Sequence, residues 1–229
     1  MLKVSNIRKI INGKTIIDDI SFNINLGNIY GLLGPNGAGK TSLVREVCKK
    51  LDFIKPSVSF TTRKIRESEV HGKDYFFIDK EEFADKVAKN EFLEHQNVYG
   101  NLYGTSLSSI NHISEQDLDV VLEIDYKGML AVKKVIPQAI SIYIIPPSIE
   151  ILRKRLEKRA EDTESVIRTR MESSLIELEY KKYADYTLIN DDFSVALDSL
   201  INIILLKKIP EKHIKALISD ILSLNKLIV

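Results

Sequence analysis

An α/β fold built on a parallel central sheet is predicted by three observations. The stretch Gly34-Pro35-Asn36-Gly37-Ala38-Gly39-Lys40-Thr41 fits the pattern G-x-x-x-x-G-K-[ST], with an apolar run, Ile29–Leu33, before it and helical spacing over Ser42–Leu51 after it. Two further apolar runs of strand length follow, Val120–Ile124 and Ser141–Ile145. A helical segment, Gly128–Val135, separates them, and strands that alternate with helices pair in parallel because the crossover returns the chain to the same end of the sheet.

Composition narrows the setting. The 229 residues, 44% hydrophobic and 28% charged, suffice for one core with inserted subdomains. A net charge of +1 lacks the basic excess of nucleic-acid binders, so nucleic acid is not expected as a partner. The single cysteine, Cys48, cannot form an internal disulfide and stands among the apolar positions of the post-loop helix as core filler. Met1–Ser5 has no signal-peptide pattern, and Leu200–Leu206 is short and interrupted by Asn202, so a cytoplasmic location without membrane insertion is expected.

Taken in order, residues 1–28 carry two apolar stretches, Leu2–Ile7 and Thr15–Ile24, around Asn12-Gly13, a strong hairpin signal; an extra N-terminal β-hairpin is expected. Residues 29–58 read as strand, phosphate loop, helix and a second strand near Val58. Residues 59–112 are polar, with apolar Tyr75–Ile78 and a helical Lys80–Asn90, and read as an inserted ligand-binding subdomain. Residues 120–152 return to buried-strand character, and 153–183 are helical and rich in Arg and Lys. Thr187–Ile189 is a last short strand, followed by helices over 194–206 and 211–226. The second of these carries Ile214, Leu217, Ile218, Ile221 and Leu222 at helical spacing, a packing face.

The loop specifies a nucleoside triphosphate. Its glycines let the backbone wrap a polyphosphate, Lys40 supplies a point charge, and Thr41 offers a hydroxyl to Mg²⁺. The run Gly34, Asn36, Gly37, Ala38, Gly39, Lys40, Thr41 and Ser42 is therefore the expected ATP site. Farther on, Ser59-Phe60-Thr61-Thr62-Arg63-Lys64-Ile65-Arg66 sets two guanidinium groups beside three hydroxyls after a core strand. Planar Arg forks suit phosphate oxygens, although the same residues read alone also fit a solvated polar loop. Glu69, Tyr75, Glu94, Tyr103 and Thr105 add acids, phenols and a hydroxyl to this zone. A carboxylate can accept two parallel N–H bonds from a guanine edge, which adenine does not offer.

On these residues the stretch 29–205, and more loosely the helix to 226, resembles guanylate kinase. Ser59–Arg66 followed by Glu69, Gly72 and Tyr75 is similar to the family's GMP-binding segment, and Glu94 followed by Tyr103-Gly104-Thr105 to its base-recognition segment. Leu122-Glu123-Ile124-Asp125 with Gly128 is similar to its strand-end acidic motif, Ile145-Pro146-Pro147-Ser148 to the approach to its lid, and Asn190-Asp191-Asp192 to its late turn.

The resemblance implies transfer of the γ-phosphoryl group of ATP to GMP, and to dGMP, with Mg²⁺. It implies that Ser59, Arg63, Arg66, Tyr75 and Tyr103 hold the GMP phosphate, with Glu69 in the same segment, and that Glu94, Thr105 and Asp125 read guanine. It makes residues 153–170 a lid carrying Arg155, Arg159 and Arg170, the last two catalytic together with Lys40, and it sets Asn190 near the donor adenine. The core then comprises 29–58, 113–152 and 171–206, with 207–229 a C-terminal helix.

Competing readings stand beside some of these roles. Arg155 and Arg159, near Glu157 and Lys158, also fit the charged surface of a helix. Glu123 suits Mg²⁺ through water, or a plain core-edge carboxylate. The histidines show no metal-ligand spacing.

Residues 1–41 depart from this pattern and resemble the opening of an ABC transporter ATPase, through Ile17–Ile24, Gly27 and Gly31–Thr41. That resemblance stops at the loop: no Leu-Ser-Gly-Gly-Gln-type signature, Asp-Glu pair or switch His follows, and Ile11 stands where an adenine-stacking aromatic is usual. The alternative reading is therefore a nucleotide-binding regulatory or ABC-associated module without turnover. Retention of Lys40 and Thr41 favours the kinase. The oligomeric state is left open.

Overall fold

A computed structural model describes the backbone of residues 2–11, 14–24, 27–98, 100–157 and 164–208, and the side chains of 27–98, 100–157 and 167–208. Arg159, the Asn12-Gly13 turn and the expected helix over 211–226 lie outside the described residues. The chain divides into two compact units, Gly27–Leu200 and a second comprising Met1–Leu26 with Ile201–Val229.

In the second unit, β1 (Leu2–Ile11) and β2 (Lys14–Ile24) pair antiparallel, with Leu2 opposite Ile24 and Ile11 opposite Lys14. This is the hairpin expected around Asn12-Gly13. Its register shifts three times, between Val4 and Ile7, Ile7 and Lys9, and Lys9 and Ile10.

The larger unit begins with β3 (Ile29–Leu33), the phosphate loop, α1 (Lys40–Lys50) and β4 (Ile54–Pro56). After an excursion it resumes with β9 (Asp119–Glu123), α4 (Tyr126–Val135), β10 (Ile140–Ile145), α5 (Ile149–Glu157) and α6 (Glu164–Leu178). It ends with a 3₁₀ turn (Glu179–Tyr183), β11 (Tyr186–Ile189) and α7 (Phe193–Lys208), the last running past Leu200. These five strands form one parallel sheet in the order β11-β10-β3-β9-β4. Every residue of β3 is buried, as are Asp119–Leu122 of β9 and Ile140–Ile144 of β10. Continuous apolar runs rather than alternation are what a parallel sheet requires. Leu33, Leu122, Ile124, Met129, Val132 and Tyr143 belong to one apolar core. Asp119, fully buried, fastens the start of β3 by accepting from the backbone N–H of Gly27 at 2.8 Å and of Asn28 at 2.9 Å.

The strand expected near Val58 lies earlier, at Ile54–Pro56. Ser57 keeps one backbone bond to Val121 O, at 3.0 Å, before the chain leaves the sheet.

The excursion forms its own four-stranded sheet, from β5 (Phe60–Thr61), β6 (Phe76–Phe77), β7 (Phe92–Val98) and β8 (Asn101–Ser106), in the order β6-β5-β8-β7. Helices α2 (Lys80–Ala88) and α3 (Leu107–Ser114) accompany it. Asp79 caps α2 by accepting from Glu82 N at 2.8 Å. Stacked Phe60–Phe76 and Phe83–Phe92, each at 4.7 Å between ring centres, fill the insert with aromatic contacts. The β7–β8 register sets Glu94 opposite Thr105, next to an irregularity between Phe92 and Glu94. In the parallel sheet, the residues after β3 and β9 emerge at the carboxyl ends of the strands, where open α/β sheets bind ligands.

Candidate active site

At one end of the site the phosphate loop turns tightly into α1. Gly34 and Gly39 have φ of +132° and +96°; a Cβ at Gly34 would strike the carbonyl of Ile144, and one at Gly39 the amide of Asn190. No side chain caps the N-terminus of α1, where backbone N–H groups and the helix dipole favour an anion. Lys40 is buried and its Nζ donates to Gly34 O at 2.7 Å and Pro35 O at 3.3 Å. Thr41 Oγ1 donates to Glu123 Oε1 at 2.8 Å, joining the loop to the end of β9.

Asn190, at the end of β11, is buried, and its Nδ2 donates to Ala38 O at 2.7 Å. Arg155 Nη2 in turn donates to Asn190 O at 3.0 Å. Asn190 therefore bears on the loop backbone, and Arg155 on the backbone of Asn190.

The insert supplies the other end. Arg63 is held as a fork: its Nη1 and Nη2 donate to Glu69 Oε2 and Oε1 at 3.0 and 2.6 Å, and Nη1 also to Lys64 O at 2.8 Å. Its guanidinium lies 5.6 Å from the ring centres of both Tyr75 and Phe77. Glu69 Oε2 also accepts from Arg66 N at 2.9 Å. Burial works to raise the Glu69 pKa, but the bonds from Arg63 and Arg66 hold it below the usual carboxylate range. Burial, reinforced by Glu123 and Tyr103, pushes the Tyr75 phenol far above its ordinary value, so it stays protonated as a donor.

Glu94 is buried, and Thr105 donates its hydroxyl to Glu94 Oε1 at 2.6 Å. Burial pushes the Glu94 carboxyl up to about 7; the Thr105 bonds lower it and nearby Asp125 raises it. Asp125 caps α4 by accepting from Gly128 N at 2.7 Å. Thr105, fully buried, stands behind Glu94.

These groups line one cleft of roughly 530 Å³, a volume suited to nucleotide-sized ligands. The loop contributes Gly34, Asn36, Gly37, Gly39, Lys40, Thr41 and Ser42; the insert contributes Ser59, Arg63, Arg66, Glu69, Tyr75, Glu94 and Tyr103; Glu123 and Asp125 come from the end of β9 and Arg170 from α6. Sequence reasoning missed several lining residues. Arg45 of α1 forms an ion pair with Asp74, 29 positions away, tying the loop's helix to the insert. Only the adjacency of Asp74 to Tyr75 hinted at it. Glu177 also lines the cleft; burial raises its carboxyl while Lys40 lowers it, and no local pattern marked it.

Among the described residues no group of three or more His, Cys, Asp and Glu could hold a metal ion. The Thr41 hydroxyl and Glu123 carboxylate nonetheless are the hard oxygen donors that suit Mg²⁺, which keeps most of its waters. Chemically the cleft joins an anion cradle to a second basic and phenolic cluster with a buried acid beyond it. That arrangement can hold two phosphorylated molecules facing one another. Among the described residues no helix is long and apolar enough to cross a membrane.

Comparison with known proteins agrees with this geometry. A family model described as guanylate kinase matches residues 27–206. A guanylate kinase of Hahella chejuensis is 43% identical over 174 residues, covering 76% of this chain and 84% of the relative. One of Saccharophagus degradans is 42% identical over 202 residues, covering 86% and 98%. The crystal structure of guanylate kinase from Anaplasma phagocytophilum superposes with a TM-score of 0.69 at 28% identity, covering 82% of this chain and 90% of that one.

Proposed function

The chain belongs to the guanylate kinase family, and from that premise we propose that it transfers the γ-phosphoryl group of ATP to GMP, and to dGMP, giving ADP and GDP. The observation that carries this reading is the single cleft joining Lys40 and Thr41 to Arg63, Arg66 and Glu94. The loop from Gly34 to Ser42 binds the ATP phosphates. Ser59, Arg63, Arg66, Tyr75 and Tyr103 bind the GMP phosphate, Arg63 being aimed by its fork with Glu69. Glu94 and Asp125 read guanine, and Thr105 positions Glu94.

Phosphoryl transfer is largely positioning and charge stabilisation. A GMP phosphate oxygen forms the new bond to the γ-phosphorus as the bond to the ADP oxygen breaks. Lys40 leaves the Gly34 and Pro35 carbonyls to meet the β- and γ-phosphates, and Arg170 and Arg159 offset charge on the moving group. Thr41 and Glu123 would hold Mg²⁺, which would supply further charge neutralisation when bound. Asn190 supports the donor site through Ala38, and Arg155 supports Asn190. The reaction is placed in the cytoplasm, where ATP and GMP are available.

The hairpin of β1 and β2 lies outside the family match, which begins at residue 27, and we read this hairpin as an accessory to the kinase core. A coupled assay of ADP release across GMP, dGMP, AMP, CMP and UMP tests the function. Turnover stimulated by GMP and dGMP is expected, and folded protein without GMP-stimulated release would refute it.

A further inference from the structure

Gly128 occupies the first turn of α4 with ordinary helical backbone, a position where alanine would strengthen the helix. Its lack of a side chain is therefore not a backbone requirement. A Cβ there would meet Glu94 Oε2 at 2.7 Å and Glu94 Cδ at 3.1 Å, with Asp125 Oδ1 next at 3.3 Å. The three nearest atoms all belong to the two acids. The first distance is shorter than real Cβ contacts reach, and Glu94 has little room to retreat, since Thr105 binds Oε1 from the opposite strand at 2.6 Å. Asp125 is likewise tethered, to Gly128 N at 2.7 Å.

We propose that Gly128 is a specificity-determining position: the space its missing side chain leaves is where the Glu94 carboxylate sits, clamped between Thr105 and the first turn of α4 and converging with Asp125 on the purine edge. This rests on the reading of Glu94 as the group that recognises guanine. A methyl group at Gly128 displaces Glu94 toward the cleft or breaks its bond to Thr105. Either movement spoils the pair of parallel acceptors that guanine N1–H and N2–H₂ require, while the phosphate loop on the other side of the cleft is untouched.

The test is the variant Gly128→Ala, assayed with GMP, IMP and ATP beside Glu94→Gln and the double variant Glu94→Asp/Gly128→Ala. IMP presents N1–H but no 2-amino group. Gly128→Ala should raise KM for GMP by about ten- to hundredfold, as for loss of a paired base contact, and shrink the preference for GMP over IMP. KM for ATP and the melting temperature should stay near their wild-type values. Glu94→Asp shortens the acid by one methylene, so the double variant should recover GMP selectivity relative to Gly128→Ala. Wild-type KM and selectivity in Gly128→Ala, with Glu94→Gln relaxed, would overturn the inference alone. Unchanged selectivity in Glu94→Gln would remove the reading beneath it, and the inference too. If Gly128→Ala does not fold, the double variant must regain folding; failure to do so also overturns the inference.

Discussion

Thr105 and Glu94 face one another across the β7–β8 pair, and the Thr105 hydroxyl donates to Glu94 Oε1 at 2.6 Å within the buried wall of the cleft. This bond partly offsets the burial that pushes Glu94 up to about 7. Guanine binding needs the ionised form, because only a carboxylate accepts two N–H bonds without presenting a proton of its own.

GMP affinity should therefore depend on pH near neutrality. The folded-state value of Glu94 is raised, so the competent anion is depleted as pH falls through about 7. KM for GMP should rise on going from pH 8 to pH 6, approaching about tenfold per unit below that pKa. Thr105→Val removes a bond that lowers the pKa and should move the profile to higher pH. The Glu94→Gln variant supplies the control, since any dependence it retains belongs to GMP's own phosphate. A wild-type profile identical to that of Glu94→Gln would contradict the assignment.

Glu69 is an acid in a site proposed to bind phosphate, and its two oxygens are occupied by Arg63 at 3.0 and 2.6 Å. We infer that it aims the guanidinium. Glu69→Gln should raise KM for GMP about ten- to hundredfold through misplacement of Arg63, with KM for ATP unchanged. A lower KM for GMP would instead mean that Glu69 chiefly repels the acceptor.

The Asn190–Ala38 bond, 2.7 Å and buried, shapes the loop from behind. Asn190→Ala leaves the Ala38 carbonyl without that donor and should cost about 1–3 kcal/mol of stability. KM for ATP should rise more than KM for GMP. Denaturant unfolding together with both KM values checks this, and equal effects on both substrates would argue against a role on the donor side.

The parallel sheet and the phosphate loop were legible because they rest on short-range patterns: five buried residues in β3, glycines at tight turns, and Lys40-Thr41 opening a helix. The identities of Arg63, Arg66, Tyr75 and Glu94 were legible through motif wording, and the structure brings them to one cleft. What could not be read was tertiary. The bond from Thr105 to Glu94 is a consequence of register that only strand pairing reveals. Asn190 bears on loop backbone at Ala38, 152 positions away, and Arg155 on the carbonyl of Asn190. Arg45–Asp74 and Glu177 went unnoticed because charged residues are common on surfaces, and nothing local distinguishes one that lines a cleft.

The most direct test follows the phosphorus itself. The full chain is incubated with ATP labelled at the γ-phosphate, with and without GMP, and the labelled products are separated. Label is expected in GDP, dependent on GMP and lost on Lys40→Met substitution. Label released only as inorganic phosphate, or none transferred to GMP by folded protein, would contradict it.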